Sequence, residues 1–186
     1  MRAFLAVPVG PPAHALIAAE LVRLRDRVAG VRWVDPATVH VTLHFFAELP
    51  ENRMRTVVDA VGAVATAEPP FALALGDLGS FPAGSRARVL WRGLAEASAD
   101  LERLAARVRA AVAACDFEIN PRPFRAHVTL GRPGSGFDDQ AWQHEARQSP
   151  AAAAFSADRV ILYESRGGRH HVRETRLLAA DQAVVR

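Results

Sequence analysis

The sequence predicts an α+β fold made of two related halves packed about a pseudo-twofold axis. Three observations carry this. Short apolar runs bounded by proline and glycine alternate along the chain with longer stretches of helical periodicity. The order of these elements recurs at about half the chain length: Ala3 to His40 spans 37 positions and Val89 to His127 spans 38. Finally, the segment His-Val-Thr-Leu occurs once in each half at the same place in that order, at residues 40–43 and 127–130.

In the first half, Ala3 to Val9 is an apolar run ending in proline and glycine, read as a strand. After Pro11, residues Leu16, Ile17, Leu21, Leu24 and Val28 mark one helical face, closed by Gly30. Val39 to Phe46 is rich in β-branched and aromatic residues and reads as a strand. Met54, Val57, Val58, Val61 and Val64 form a second helical stripe that ends before Pro69-Pro70, and Phe71 to Leu78 alternates as a strand.

In the second half, Arg88 to Leu94 reads as a strand, and Leu101, Leu104, Val108 and Val112 mark a long helix. Arg125 to Arg132 is β-like, Asp138 to Gln148 weakly helical, and Arg159 to Glu164 a strand. A last strand, Val172 to Ala179, follows the Gly167-Gly168 turn. The strand from Phe71 begins 31 positions after His40; its expected counterpart at Phe155 lies 28 positions after His127. The halves divide near residues 1–82 and 83–186, together forming one bilobal domain of residues 1–186.

Composition narrows the chemistry. With 50% hydrophobic and 23% charged residues, the chain can bury a core, which excludes wholesale disorder. All 23 basic residues are arginine. The absence of lysine excludes a Schiff base, a lysyl-nucleotide intermediate and a lysine-containing phosphate loop. A net charge of +3 is too small to make a strong duplex-DNA binder by electrostatics alone, though it suits a phosphate-bearing ligand. The single cysteine, Cys115, makes neither an internal disulfide nor a cysteine metal cluster. The opening apolar run is too short for the core of a signal peptide, and no segment approaches the roughly 18 apolar residues of a membrane span. A soluble cytoplasmic protein, with nothing demanding more than a monomer, is the expectation.

The two His-Val-Thr-Leu segments carry the chemistry. With 7 histidines and six threonines, about 0.2 His-x-Thr matches arise by chance, so two with identical flanks are a specific signal. On a strand, His40 and Thr42 share one face while Val41 and Leu43 share the other, and His127 and Thr129 repeat this. If the two strands oppose each other across a cleft, two imidazoles and two hydroxyls converge. Two imidazoles suit metal-free phosphoryl chemistry: one accepts a proton from an attacking hydroxyl or water, and the other donates one to the departing oxygen. Threonine hydroxyls can donate to non-bridging phosphate oxygens.

These residues resemble the twin His-x-Thr-x motifs of the 2H phosphoesterase superfamily, and their surroundings resemble its RNA 2′,3′-cyclic phosphodiesterase (2′-5′ RNA ligase) branch. The matching stretches are Val31-Arg32-Trp33-Val34, Pro70-Phe71 to Phe81, Arg88-Val89-Leu90-Trp91, Arg122-Pro123-Phe124-Arg125 and Arg132. The resemblance implies two antiparallel sheets flanking a central cleft with helices outside, and no metal or nucleotide cofactor. It implies His40 and His127 as the acid–base pair, Thr42 and Thr129 as phosphate binders, and Arg132 as a further phosphate contact. Strict alternation would turn Arg132 away from His127, so a bulge or strand end is expected near Gly131.

The implied reaction opens a 2′,3′-cyclic phosphate on an RNA 3′ end, tRNA fragments included, to a 2′-phosphomonoester. In the hypothesis adopted on sequence, His127 activates water and His40 protonates the leaving oxygen. Run in reverse with a 5′-hydroxyl end, the same site would join RNA through a 2′-5′ linkage without ATP. Two other readings stay open: a 2H phosphoesterase acting on a cyclic nucleotide or ADP-ribose 1″,2″-cyclic phosphate, and a non-catalytic RNA-end-binding module.

Where the family usually has lysine after the first motif this chain has His44, expected at the cleft rim, and Ala126 replaces a usual proline. His170-His171 reads as part of a basic hairpin tip. Neither it nor His40 with His44 has nearby carboxylates or a cysteine to complete a zinc site. Phe45, Phe46, Phe81, Phe124 and Tyr163 are candidates for base stacking, although each also suits core packing.

Overall fold

The structure, a computed structural model, describes residues 1–95, 99–148, 153–167 and 169–179, so Gly168 of the expected turn lies outside the described residues. Its elements follow the order β1 (Ala3–Pro8), α1 (Ala13–Arg27), β2 (Val31–Trp33), β3 (His40–Phe46), α2 (Glu51–Ala65), β4 (Phe71–Phe81), β5 (Val89–Leu94), α3 (Ala99–Ala114), β6 (His127–Pro133), α4 (Asp139–Arg147), β7 (Ala154–Ala157), β8 (Arg159–Arg166) and β9 (Arg169–Leu177). The α+β class and the two long helical stripes of the first half match the sequence reading. In α1, Ala13, Ile17, Leu21 and Leu24 recur at helical spacing and are all buried. Gly30 follows with φ +73°, and a Cβ there would strike the backbone of Gly136, so the chain turns there on a residue that needs no side chain. Asp138 caps α4, its carboxylate accepting the Ala141 N–H at 2.9 Å.

The strands pair antiparallel in the order β7-β4-β5-β6-β3-β1-β8-β9, with β2 added beside β6. The expectation of two separate sheets changes here. The two halves form one hydrogen-bonded sheet, but the seam between β3 and β6 is a single pair, Val41 opposite Val128. Beyond that pair these two strands share no further ladder, so the sheet has two halves joined at one narrow place.

The strand order reads the same from both ends when β1 is exchanged with β5, β3 with β6, β4 with β8 and β7 with β9. Each third strand has crossed over: β4, from the first half, lies beside β5, and β8, from the second, lies beside β1. The counterpart of β4 is therefore β8, which starts 32 positions after His127, and not the Phe155 segment. Phe155 belongs to β7, a short strand that pairs with the start of β4.

One face of the sheet carries the core, and the helices pack there. Val41, Leu43, Val128 and Leu130 join α1, α2 and α3 residues such as Leu21, Val58 and Leu104 in one continuous cluster. Burying this apolar surface contributes about 25 cal/mol per Å². Charged side chains pin the layers. Buried Arg92 on β5 donates to Glu20 of α1 at 2.7 Å, Arg27 of α1 reaches Glu145 of α4 at 3.2 Å, and Arg103 of α3 holds Glu68, just past α2, at 3.1 Å. No described helix is long and apolar enough to cross a membrane.

Candidate active site

The seam places the two motifs. Val41 and Val128 point into the core, so alternation sends His40, Thr42, His127 and Thr129 to the opposite face. Antiparallel strands centred on that pair bring His40 toward Thr129 and Thr42 toward His127. All four side chains are half-buried. The structure thus brings together the four residues expected to converge.

The two histidines are held alike. His40 Nδ1 lies 2.7 Å from the Thr38 carbonyl, and His127 Nδ1 lies 2.6 Å from the Arg125 carbonyl. A carbonyl only accepts, so each Nδ1 carries the proton. In its neutral form each ring therefore presents a bare Nε2 lone pair, ready to act as a base; once protonated, the same Nε2 is an acid. Burial lowers the His40 pKa to about 4 despite the Thr38 bond, with His170 and His127 pushing the same way. Burial also lowers that of His127, against the Arg125 bond, and Arg132 adds to the effect. His127 is thus close enough to be felt at His40, and Arg132 close enough to be felt at His127.

Arg132 reaches that side through a bulge. On β6, Leu90 pairs with Gly131 but Trp91 with Thr129, leaving Leu130 as the extra residue. Leu130 and Gly131 are both buried, and Arg132 emerges exposed. The same irregularity occurs in β3. Leu5 pairs with His44 but Ala6 with Thr42, so Leu43 is the extra residue, and Leu43 and His44 are both buried. This overturns the rim position expected for His44. Its ring is 6% exposed, packs edge-on to Phe46 at 4.5 Å, and points with the core. By the same count, exposed Phe45 occupies in the first half the place of Arg132 in the second, and Arg2 lies over its ring at 5.5 Å.

Aromatic rings wall both histidines. Beside His127, Phe81 sits edge-on at 5.2 Å, tilts against Trp91 at 4.9 Å, and carries the Arg125 guanidinium at 5.5 Å. Trp91 lies so close over Gly79 that a Cβ there would enter its ring. Beside His40, Phe4 stacks at 4.6 Å, Tyr163 stacks on Phe4 at 5.1 Å, and His170 stands edge-on to Phe4 at 4.8 Å and to His40 at 5.6 Å. Of the stacking candidates read from sequence, Phe81 and Tyr163 reach the site, whereas Phe46 and Phe124 pack with the core. From sequence, Phe4 and Trp91 read only as strand residues and His170 only as part of a basic hairpin tip, so none of the three is placed at the site by that reading. Among the described residues, no group of three or more His, Cys, Asp or Glu side chains gathers as a metal-ligand set.

An antiparallel sheet presenting two His-x-Thr pairs at its seam places the chain among the 2H phosphoesterases. Within that class the chain belongs to the LigT-like phosphoesterase family, whose profile matches residues 10–91 and again residues 93–173. A Geobacillus stearothermophilus protein named RNA 2′,3′-cyclic phosphodiesterase is 33% identical over 164 residues, 87% of this chain and 51% of that protein. This chain thus spans about half the length of that relative. An Archaeoglobus fulgidus protein of the same name is 32% identical over 132 residues, 71% of this chain and 72% of that one. The fold is shared with TT0787 of Thermus thermophilus (TM-score 0.78, 24% identity, 98% of this chain and 100% of that one). It is also shared with E. coli LigT complexed with 3′-AMP (TM-score 0.74, 22% identity, 95% and 97%).

Proposed function

We propose that this chain hydrolyses the 2′,3′-cyclic phosphate of an RNA 3′ end to a 2′-phosphomonoester, using His40 and His127 as its acid–base pair and no metal. The observation that carries this reading is the matched pair of half-buried imidazoles on one face of the seam, each with Nδ1 tied to a backbone carbonyl and Nε2 left for substrate. The names of the relatives above supply the substrate class, and the nucleotide complex of a structural neighbour agrees with it.

In the step proposed, water attacks phosphorus as one Nε2 takes its proton. The P–O3′ bond breaks while the other Nε2, protonated, delivers its proton to O3′. The products are a 2′-phosphate and a free 3′-hydroxyl, and the site has exchanged one proton for another. Thr42, Thr129 and Arg132 bind the non-bridging oxygens, where the transition state holds charge. Both histidines favour the neutral form in the free protein, so the catalytic proton is stabilised when the anionic phosphate arrives. The two rings are coupled, with His127 among the groups that lower His40, so the order adopted on sequence is kept: His127 activates water and His40 protonates O3′. A 5′-hydroxyl RNA end attacking in place of water would use the same site for 2′-5′ joining without ATP.

The test is product analysis on a 2′,3′-cyclic-ended oligonucleotide with the wild type, His40→Ala and His127→Ala. Each substitution should lower turnover by about 10²–10⁴, the usual worth of one acid or base. The product should carry phosphate on O2′, and turnover should survive a chelator. Full loss with chelator and recovery with Zn²⁺ would overturn the metal-free mechanism. Turnover of ADP-ribose 1″,2″-cyclic phosphate in preference to RNA would reassign the substrate.

A further inference from the structure

We propose that His170 is a third ligand-binding imidazole of this cleft, donating a hydrogen bond to the phosphate-bearing substrate on the His40 side. The inference rests on the phosphate-handling reading of the cleft and adds a residue that neither His-x-Thr motif contains.

The placement comes from the β8–β9 hairpin. Ser165 pairs with His170, and the hairpin turns the His170 ring back across the sheet toward β1 and β3. There it stands perpendicular to both members of the stacked Phe4–His40 pair, with interplanar angles of 82° to each. Its neighbour His171 is exposed, so the two histidines of the hairpin have different surroundings.

Packing alone does not account for an imidazole there. Its Nδ1 is buried and meets the Arg169 backbone only short of full hydrogen-bond geometry, while Nε2 is not among the buried atoms that lack a partner. A phenylalanine would fill the same edge-on place against Phe4 and His40 without leaving a buried polar atom unsatisfied. The imidazole stands beside His40 with Nε2 as the nitrogen an incoming phosphate ester can reach, donating to it when the ring is protonated.

The pseudo-symmetry of the sheet says why such a donor is useful. The second half places a cation, Arg132, just past its motif and near His127. The equivalent place in the first half is Phe45, which has no hydrogen to donate. Arg2 lies over that ring, and its guanidinium is engaged with the aromatic face. His170 supplies an N–H donor to the His40 side from another strand, giving both flanks of the phosphate a group beyond the motif itself.

The experiment compares the full-length wild type with His170→Phe and His170→Gln, after circular dichroism has shown each to be folded. The probes are adenosine 2′-monophosphate, titrated calorimetrically, and a 2′,3′-cyclic-ended oligonucleotide for steady-state kinetics. His170→Phe keeps the ring packing and should weaken nucleotide binding and raise KM by about tenfold or more, the usual loss for a hydrogen bond to a charged group. His170→Gln keeps a donor and should recover most of that loss.

Unchanged affinity and KM in His170→Phe, with His40→Ala inactive, would overturn the inference and leave the phosphodiesterase reading intact. Equal loss in both variants would also overturn it, since that would mark a packing role. If the wild type turned over no cyclic-ended RNA yet bound the nucleotide, weakened by His170→Phe and restored by His170→Gln, the third donor would stand while the reaction assigned above would fall.

Discussion

His44→Phe tests the bulge that turns a histidine from the cleft into the core. In the native protein His44 lies against Phe46, and its pKa is lowered to about 4, by burial first and by Arg109 second. In the unfolded chain it returns to its ordinary value near 6.5. Above pH 6.5 both states are neutral at this ring, and its full contribution to stability is present. As pH falls toward 4 the unfolded chain gains a proton that the native protein refuses, so stability is lost. A difference of this size costs about 2 to 3 kcal/mol at pH 4.5 relative to pH 7.5.

Phenylalanine cannot titrate, and it removes a buried Nε2 that has no partner. His44→Phe should therefore be at least as stable as wild type at pH 7.5 and should pull ahead by about 2 to 3 kcal/mol more at pH 4.5. Urea unfolding of both proteins at the two pH values measures this, with His40 and the carboxylates common to both and cancelling in the difference. Turnover at neutral pH should stay within about twofold, because His44 does not face the substrate. Parallel stability profiles for the two proteins, or a large loss of turnover in His44→Phe, would refute the core placement.

The same depressed values shape catalysis. With one ring as base and the other as acid, and both lowered from the ordinary 6.5, kcat/KM should be bell-shaped with both limbs on the acid side of that value; an optimum above pH 7.5 would contradict this. Arg132→Gln should lower kcat/KM by about tenfold or more while leaving thermal stability nearly unchanged, as expected of an exposed side chain aimed at phosphate. Glu20→Gln weakens the charge partner of buried Arg92 and should cost about 3 kcal/mol, read as a lower urea midpoint. Gly79→Ala places a methyl in the Trp91 ring and should cost about 1–3 kcal/mol, with a change in tryptophan fluorescence.

What could be read from sequence was set by local rules. Helical stripes and the alternation of His-Val-Thr-Leu are periodic, so the long helices and the facing of His40, Thr42, His127 and Thr129 follow from spacing alone. The bulge beyond the second motif was also expected, because strict alternation would turn Arg132 away from His127; in the structure Gly131 marks it, at a place where a side chain would strike Val31 and Trp33. The matching bulge at Leu43 had no such marker. Its effect, two consecutive buried residues followed by exposed Phe45, comes from pairing with β1 and cannot be read from residue type. Other misses share that cause. Three-residue β2 has no periodicity to detect and exists because β6 accepts it, while His170 reaches the site only because β8 and β9 pair beyond β1.

The crossing of third strands ties the chemistry to the whole fold. His40 belongs to the first half, yet its wall includes Tyr163 and His170 from β8 and β9. His127 belongs to the second half, yet it leans on Phe81 from β4. The helices cross as well: α1 reaches β5 through Glu20 and Arg92, and α3 packs on β3. Neither half can hold its own histidine in the observed setting, because the strand that supplies the wall lies in the other half's sequence. A half expressed alone would leave unpaired the edge where the exchanged strand belongs and expose the core beneath it. Cutting the chain near residue 82 should therefore abolish turnover in each fragment separately, and mixing the two fragments should restore it only if the exchanged strands re-pair. Activity in either isolated fragment would show that a single His-x-Thr strand suffices, and the paired-imidazole mechanism would then be wrong.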